Sequence, residues 1–160
     1  MAPERPTTSA EVAIDAPIKA VFALLADPKS YADWVVGSDK VLRADPGWPA
    51  PGSAFEHVVG VWPFKSHDHS YVEDVQAPIH LRLRVKARPF VTAHVWLDLS
   101  EQDGGTLVQM QERGADPLSK LVMNRFTQPL VKTRNELALR RLRDMAEGKR
   151  PVPTADEAAR

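Results

Sequence analysis

The sequence predicts an α+β domain, an antiparallel sheet of about seven strands with one face covered by a long C-terminal helix. Three observations carry that expectation. Between residues 8 and 114 period-two segments follow one another, separated by turn residues. Two short helical patterns interrupt them once, after the first strand. A long amphipathic pattern then runs from Leu130 to Ala146. A single antiparallel sheet needs cover on one face, and that helix is the only element able to supply it.

Each element has its own signal. Thr8 to Ile14 alternates, with Ala10, Val12 and Ile14 on one face. Asp15 offers an N-cap and Pro17 suits a first helical turn, ahead of Ile18, Val21, Phe22 and Leu25 at i, i+3, i+4 and i+7. Asp27-Pro28 repeats the start signal for a second short helix carrying Tyr31, Trp34 and Val35, which Gly37 ends. Val41–Arg43 reads as a short strand closed by the Pro/Gly-rich stretch from Asp45 to Gly52. Phe55, His57, Val59 and Val61 share a face of the next strand, and Phe64 to Val75 forms another. Leu81, Leu83 and Val85 alternate with His80, Arg82, Arg84 and Lys86, as a half-buried strand does. Val91 to Leu99 repeats that pattern, and Asp103-Gly104-Gly105 makes a hairpin into Thr106–Arg113. Asp116-Pro117 starts a lead-in helix over Leu118–Phe126, which Pro129 separates from the long one. That helix gathers Leu130, Val131, Leu137, Ala138, Leu142 and Met145 on one side, and Gly148 stops it.

Composition sets the outer limits. The chain has 160 residues, 21 Lys+Arg against 21 Asp+Glu, five His, no Cys, 14 Pro and 8 Gly. That length suits one domain, read as 8–147 between a flexible N-terminus (1–7) and a disordered tail (148–160). With 43% hydrophobic and 26% charged residues the chain is too apolar to be disordered. Zero formal charge gives no global attraction to nucleic acid or to an anionic membrane. Without Cys there is no disulfide framework, thiol chemistry or Cys-based metal site. The polar start has no apolar run of the signal-peptide kind, and no segment approaches the ~20 apolar residues of a bilayer span. A cytoplasmic location and no membrane insertion are the expectations.

The front of the chain, EVAIDAPIKAVFALLADPKSYADWV, matches [IV]-x-A-P-x-x-x-V-F/W-x-x-L-A-D-P-x-x-Y-x-x-W through Ile14, Ala16, Pro17, Val21, Phe22, Leu25, Ala26, Asp27, Pro28, Tyr31 and Trp34. With GGTLVQMQE ahead of the long helix, it resembles the helix-grip (START-like, SRPBCC) superfamily over about residues 8–147. WVVGS, DPGWPAPGSAFEH and VGVWP look like a bacterial polyketide cyclase/dehydrase-like subgroup. The resemblance implies a curved sheet gripping the long helix around a deep cavity. That cavity would open near the short helices and hold a lipid, polyketide, quinone or similar molecule. Fold alone does not choose among these.

Polar residues on apolar faces are the candidates for chemistry in such a cavity. His57, between Phe55 and Val59, is either a hydrogen-bonding group or general base, or a histidine satisfied by a core neighbour. Glu112 follows Val108 and Met110 on their face, where a carboxylate must be paired, hydrated or neutral. Arg134 sits amid the long helix's apolar stripe, where it either binds a ligand oxygen or braces helix to sheet through Glu112. His57, Glu112 and Arg134 are therefore the candidate catalytic set. Ligand contacts are expected from Trp34, Phe55, His57, Val59, Trp62, Tyr71, Leu83, Val95, Met110 and Arg134, with Trp34 and Trp62 where the family places its cavity mouth.

Other readings fall away on spacing. His67-Asp68-His69 would aim two imidazoles one way but lacks a third ligand, so no metal is expected. The row His80, Arg82, Arg84, Lys86 and Arg88 alternates with Leu81, Leu83 and Val85 and reads as a solvated face rather than a nucleic-acid stripe. There is no G-x-S-x-G elbow, phosphate-cradling Gly loop or H-E-x-x-H. The sequence thus predicts a cofactor-free binder of a small, largely hydrophobic molecule, monomeric or homodimeric. The alternatives are a cyclase/dehydrase-type enzyme acting on a poly-carbonyl substrate by acid/base chemistry, and a protein-interaction or chaperone role.

Overall fold

A computed structural model describes residues 8–61, 64–87 and 91–149. Trp62, Arg88, the N-terminal stretch 1–7 and the tail from residue 150 lie outside the described residues. The chain runs β1 (Thr8–Ile14), α1 (Ile18–Leu25), a 3₁₀ turn (Pro28–Ser30), α2 (Tyr31–Trp34), β2 (Ser38–Ala44), β3 (Ala54–Val61), β4 (Phe64–Gln76), β5 (His80–Ala87), β6 (Val91–Gln102), β7 (Gly105–Gly114), α3 (Pro117–Val122) and α4 (Gln128–Ala146). The seven strands form one antiparallel sheet in the order β1-β7-β6-β5-β4-β3-β2. Only β1 leaves chain order: the two short helices carry the chain from one edge of the sheet to the other. This is the helix-grip arrangement.

Register decides what faces the helices. Leu83 pairs with Val95 and Val95 with Glu112, while Leu97 pairs with Met110, so these residues form rows on one face. On the other half of the sheet His57 pairs with Asp68 and Val72 with Leu83. Against this face pack Val21, Phe22 and Leu25 of α1, Tyr31 and Trp34 of α2, and Ala138, Leu139 and Leu142 of α4. The opposite face carries the charges. Arg82 Nε and His94 Nδ1 each lie 2.8 Å from Glu73, His80 lies 2.6 Å from Asp98, and Arg84 and Lys86 both sit over the Tyr71 ring.

Three local expectations need correction. Asp15 is not the cap of α1: Pro17 holds the N-cap position without a side-chain bond, and the Asp15 N–H donates to Glu147 Oε1 at 2.9 Å. The lead-in helix stops at Val122 because Asn124 and Thr127 take over its backbone. Asn124 Oδ1 accepts from the Phe126 N–H, and its Nδ2 donates to the Leu121 carbonyl. On α4 the buried stripe is Asn135, Ala138, Leu139 and Leu142 at i, i+3, i+4 and i+7, with Arg141 beside it, whereas Leu130 is exposed. A polar residue in that stripe rotates the apparent apolar face of the sequence away from the real one.

Helix ends behave as their chemistry dictates. Asp116 caps α3 by accepting the Ser119 N–H at 2.8 Å, and the Ser119 hydroxyl accepts from the Thr92 N–H at 2.8 Å. Gly148, at φ +73°, closes α4: its N–H reaches the Met145 carbonyl and the Lys149 N–H reaches that of Asp144. Between these helices and the sheet, Gly114 has no room for a side chain, since a Cβ there would lie 2.7 Å from the backbone of Ser119 and Lys120. Gly114→Ala must push α3 off the end of β7. We expect a loss of about 1–3 kcal/mol, read as a lowered urea midpoint with an unchanged m-value.

Candidate functional site

Between the inner sheet face and α4 lies a cavity of about 140 Å³. Its wall is mainly apolar: Val59 of β3, Leu83 and Val85 of β5, Val91, Val95 and Leu97 of β6, and Met110 of β7. Tyr31, Trp34, Val35 and Val36 border it from α2 and the residues that follow, and Ala138 from α4. Two polar clusters enter this wall from opposite sides.

The first is built on β3 and β4. The His57 imidazole is buried, with Nδ1 3.1 Å from the buried Ser38 hydroxyl and Nε2 without a partner among the described residues. Ser38 stands at a bulge where β2 leaves regular pairing with β3. With the Ser38 hydroxyl donating, Nε2 carries the imidazole proton; with it accepting, Nε2 is a bare base. Burial pulls the His57 pKa below the ordinary 6.5, the Asp68 carboxylate offsets part of that, and His69 adds to the lowering. The ring is therefore neutral at physiological pH. Asp68 is buried opposite His57 and accepts from the Ser66 hydroxyl at 3.0 Å. Trp34 is buried too, and its Nε1–H has no partner among the described residues. Tyr31 differs: its hydroxyl donates to the Leu25 carbonyl at 2.9 Å, and burial pushes its pKa far above the usual phenol value.

The second cluster joins β7 to α4. One Arg134 guanidinium nitrogen lies 3.0 and 2.7 Å from the two Glu112 oxygens, and Asn135 Nδ2 donates to Glu112 Oε2 at 2.8 Å. Arg134 also reaches Asn135 Oδ1 at 3.2 Å. The Glu112 side chain is 8% exposed and that of Arg134 45%, so the carboxylate is the desolvated member of the pair.

Of the residues expected from sequence, the structure brings Trp34, His57, Val59, Leu83, Val95, Met110, Glu112 and Arg134 to one cavity. Phe55 is set behind it, its ring 4.7 Å from those of Tyr31 and Trp48 and 5.1 Å from His57. Tyr71 is on the other side of the sheet, stacked on His69. Pairing of His57 with Asp68 and of Val72 with Leu83 fixes which residues of β4 face inward, and Tyr71 is not among them. Sequence reasoning missed Ser38, Asp68 and Asn135. Asp68 was legible in the inward alternation of Ser66, Asp68, Ser70 and Val72, and Asn135 in its spacing from Ala138, Leu139 and Leu142. His67 and His69 point to Glu56 instead, at 3.0 and 4.0 Å.

Residues 5–147 match the family model described as polyketide cyclase / dehydrase and lipid transport. The chain belongs to this family. No curated protein matches it. Among solved structures, CalU16 from Micromonospora echinospora is 19% identical with a TM-score of 0.60, over 86% of this chain and 73% of CalU16. TTHA0849 from Thermus thermophilus is 16% identical with a TM-score of 0.68, over 88% of this chain and 97% of that one. The di-domain ARO/CYC StfQ from the steffimycin biosynthetic pathway is 6% identical with a TM-score of 0.68, over 88% of this chain and 50% of StfQ. At these identities the likeness is one of fold.

In this polyketide cyclase/dehydrase and lipid transport family member, the two clusters differ in what they offer chemically. Glu112, Arg134 and Asn135 satisfy one another and tie helix to sheet. His57 and Trp34 each retain a buried ring nitrogen that nothing on the described protein engages. The difference is measurable. Replacing Arg134 by Met leaves the buried Glu112 carboxylate without its cation, with Asn135 as its remaining donor, and should cost about 3 kcal/mol of stability. Glu112→Gln leaves a half-exposed guanidinium that water re-solvates and should cost only about 1 kcal/mol; urea unfolding of both variants checks the asymmetry. For His57, an NMR titration should place the imidazole midpoint below 6.5. The stability tied to neutral His57 is complete above that ordinary value and lost as pH falls through its lowered one.

Proposed function

We propose that the protein binds a small, neutral, largely apolar molecule carrying an oxygen function, with its apolar body against Leu83, Val95 and Met110. The observation that carries this reading is the pair of buried nitrogens on Trp34 and His57 that have no partner among the described residues, both residues lining one mainly apolar cavity. A buried donor left unpaired costs about 1–3 kcal/mol, and a ligand oxygen recovers much of that. A cavity of 140 Å³ is close to the ~150 Å³ of an engineered void that takes up benzene, and below the ~300 Å³ at which drug-sized pockets begin. Its size favours a single ring or a short chain. A long poly-carbonyl chain would require the helix and sheet to part.

A second reading has one observation in its favour. His57 is neutral and its Nε2 is unengaged, which suits a general base for proton abstraction next to a carbonyl. Under that reading Trp34 polarises the carbonyl oxygen, and Glu112 and Arg134 serve only to hold the cavity wall. Either way, no protein-interaction role is needed to explain the polar lining.

Native mass spectrometry of protein purified gently from its host tests the first reading. A single apolar adduct at stable stoichiometry is expected, and its mass identifies the ligand. Trp34→Phe should weaken binding of that molecule about five- to tenfold, the worth of one hydrogen bond. Turnover that His57→Gln abolishes while leaving affinity within a few-fold would establish the enzyme instead. Absence of any adduct, with single-ring phenols and ketones also failing to bind, would sink the cavity reading.

A further inference from the structure

Outside the cavity, the most unusual surface is the segment from α3 through the first turn of α4. Leu121, Phe126 and Leu130 are 68%, 78% and 74% exposed, and Leu118 and Val122 are 49% and 42% exposed beside them. Seven large apolar side chains are this exposed among the described residues, and five of them fall in this one stretch of chain. Side chains so exposed protrude; they do not line a groove. The same stretch is cationic. Residues 117–134 hold Lys120, Arg125, Lys132 and Arg134 and no Asp or Glu, in a chain whose formal charge is zero. Arg125 lies over the Phe126 ring with its guanidinium carbon 4.8 Å from the centroid, so one cation and one apolar anchor form a single projecting unit. Acids border the patch from outside it: Asp116 feels the charge of Lys120, Glu112 pairs with Arg134, and Glu136 lies 3.9 Å from Lys132.

From this arrangement we infer that the α3–α4 corner is a docking surface for an anionic lipid bilayer, on which the protein adsorbs peripherally. Protruding apolar side chains flanked by cations are what the headgroup–acyl boundary of such a membrane accommodates, with no need for a shape-matched partner. A symmetric dimer through the same face would bring Arg125 and Lys120 of one copy towards the same cations of the other, which disfavours self-association there. Position adds to the argument. Leu130 lies one turn before Arg134 on α4, and Arg134 lines the cavity, so the corner adjoins the cavity wall. A membrane-adsorbed molecule would hold its cavity close to the apolar phase in which a hydrophobic ligand dissolves. The docking surface itself stands on α3 and α4 and holds whatever the cavity contains. Such adsorption needs no spanning segment, and no described helix is long and apolar enough to cross a membrane.

Vesicle co-sedimentation of the full chain is the test. Binding to equimolar phosphatidylcholine–phosphatidylserine vesicles at low salt is expected, with little or none to phosphatidylcholine alone. Each cation near an anionic surface is worth roughly a fivefold change in partition, so Lys120→Gln with Arg125→Gln should lower it about 25-fold. Leu121→Gln with Phe126→Gln should lower it on the order of tenfold or more, since two apolar anchors are lost. Release of the wild-type chain by raised salt gives the same answer without any substitution. No binding to the mixed vesicles, binding indifferent to phosphatidylserine and salt, or binding unchanged in both variants would overturn the inference. So would light scattering that finds a dimer which Phe126→Gln dissociates, because the corner would then be an interface between copies.

Discussion

Glu112 is the residue on which the geometry of this protein turns. A carboxylate on the inner face of a sheet must find compensation, and here the helix that covers that face supplies it. Asn135 and Arg134 supply it, side by side at the middle of α4, with bonds of 2.8 and 2.7 Å. Apolar packing is tolerant of sliding and rotation; a hydrogen-bonded triad is not. The triad therefore fixes both the rotation of α4 and its height over β7. Val95, across from Glu112 in register, and Ala138, one turn on from Asn135, are set on facing walls as a result. The gap between them is the cavity.

That gap has an energetic meaning. A sheet and a helix with wholly apolar inner faces would close on each other and fill the space with side chains. Here polar groups occupy both flanks: His57, Asp68 and Ser70 on one side and Glu112 with Asn135 on the other, all of them buried. Each polar residue replaces apolar contact that a more stable protein would have made. The Glu112 triad recovers its desolvation cost internally. The nitrogens of Trp34 and His57 find no partner among the described residues, a cost that a bound molecule would offset. The lowered pKa of His57 belongs to the same logic, since a charged imidazole in that wall would disfavour an apolar ligand.

The fold was legible because its signals are local and repeated. Alternation and turn residues together located the strands, and Pro17, Pro28, Pro117 and Pro129 marked helix starts to within a residue or two. What stayed hidden was whatever pairing alone decides. Tyr71 looked like a cavity residue because it is large and aromatic, yet the register of β4 with β3 and β5 turns it to the outer face among Arg84, Lys86 and His69. Asn135 was passed over because it is polar, yet it is the first residue of the buried stripe of α4. Glu112 and Arg134 were readable as partners from their faces, but the third member that makes the brace complete was not.

The zero net charge of the chain is the clearest instance of an average concealing structure. On the outer sheet face cations and acids alternate across strands, so Glu73 meets both Arg82 and His94, and the field cancels within a few ångströms. At the α3–α4 corner the acids stand only at the border: residues 117–134 carry four cations and no acid, with Asp116, Glu136 and Glu112 just outside the stretch, beside the most exposed apolar side chains of the described chain. Water penalises exposed Leu and Phe while leaving exposed Lys and Arg well solvated. A surface that keeps both together suits a partner that is both apolar and anionic. The polar flanks of the cavity and the apolar corner beside it are complementary departures from the same folding rule, one placing polarity inside and the other placing hydrophobicity outside. They meet on α4 within one helical turn of Arg134, the residue that belongs to the cavity wall and to the surface at once.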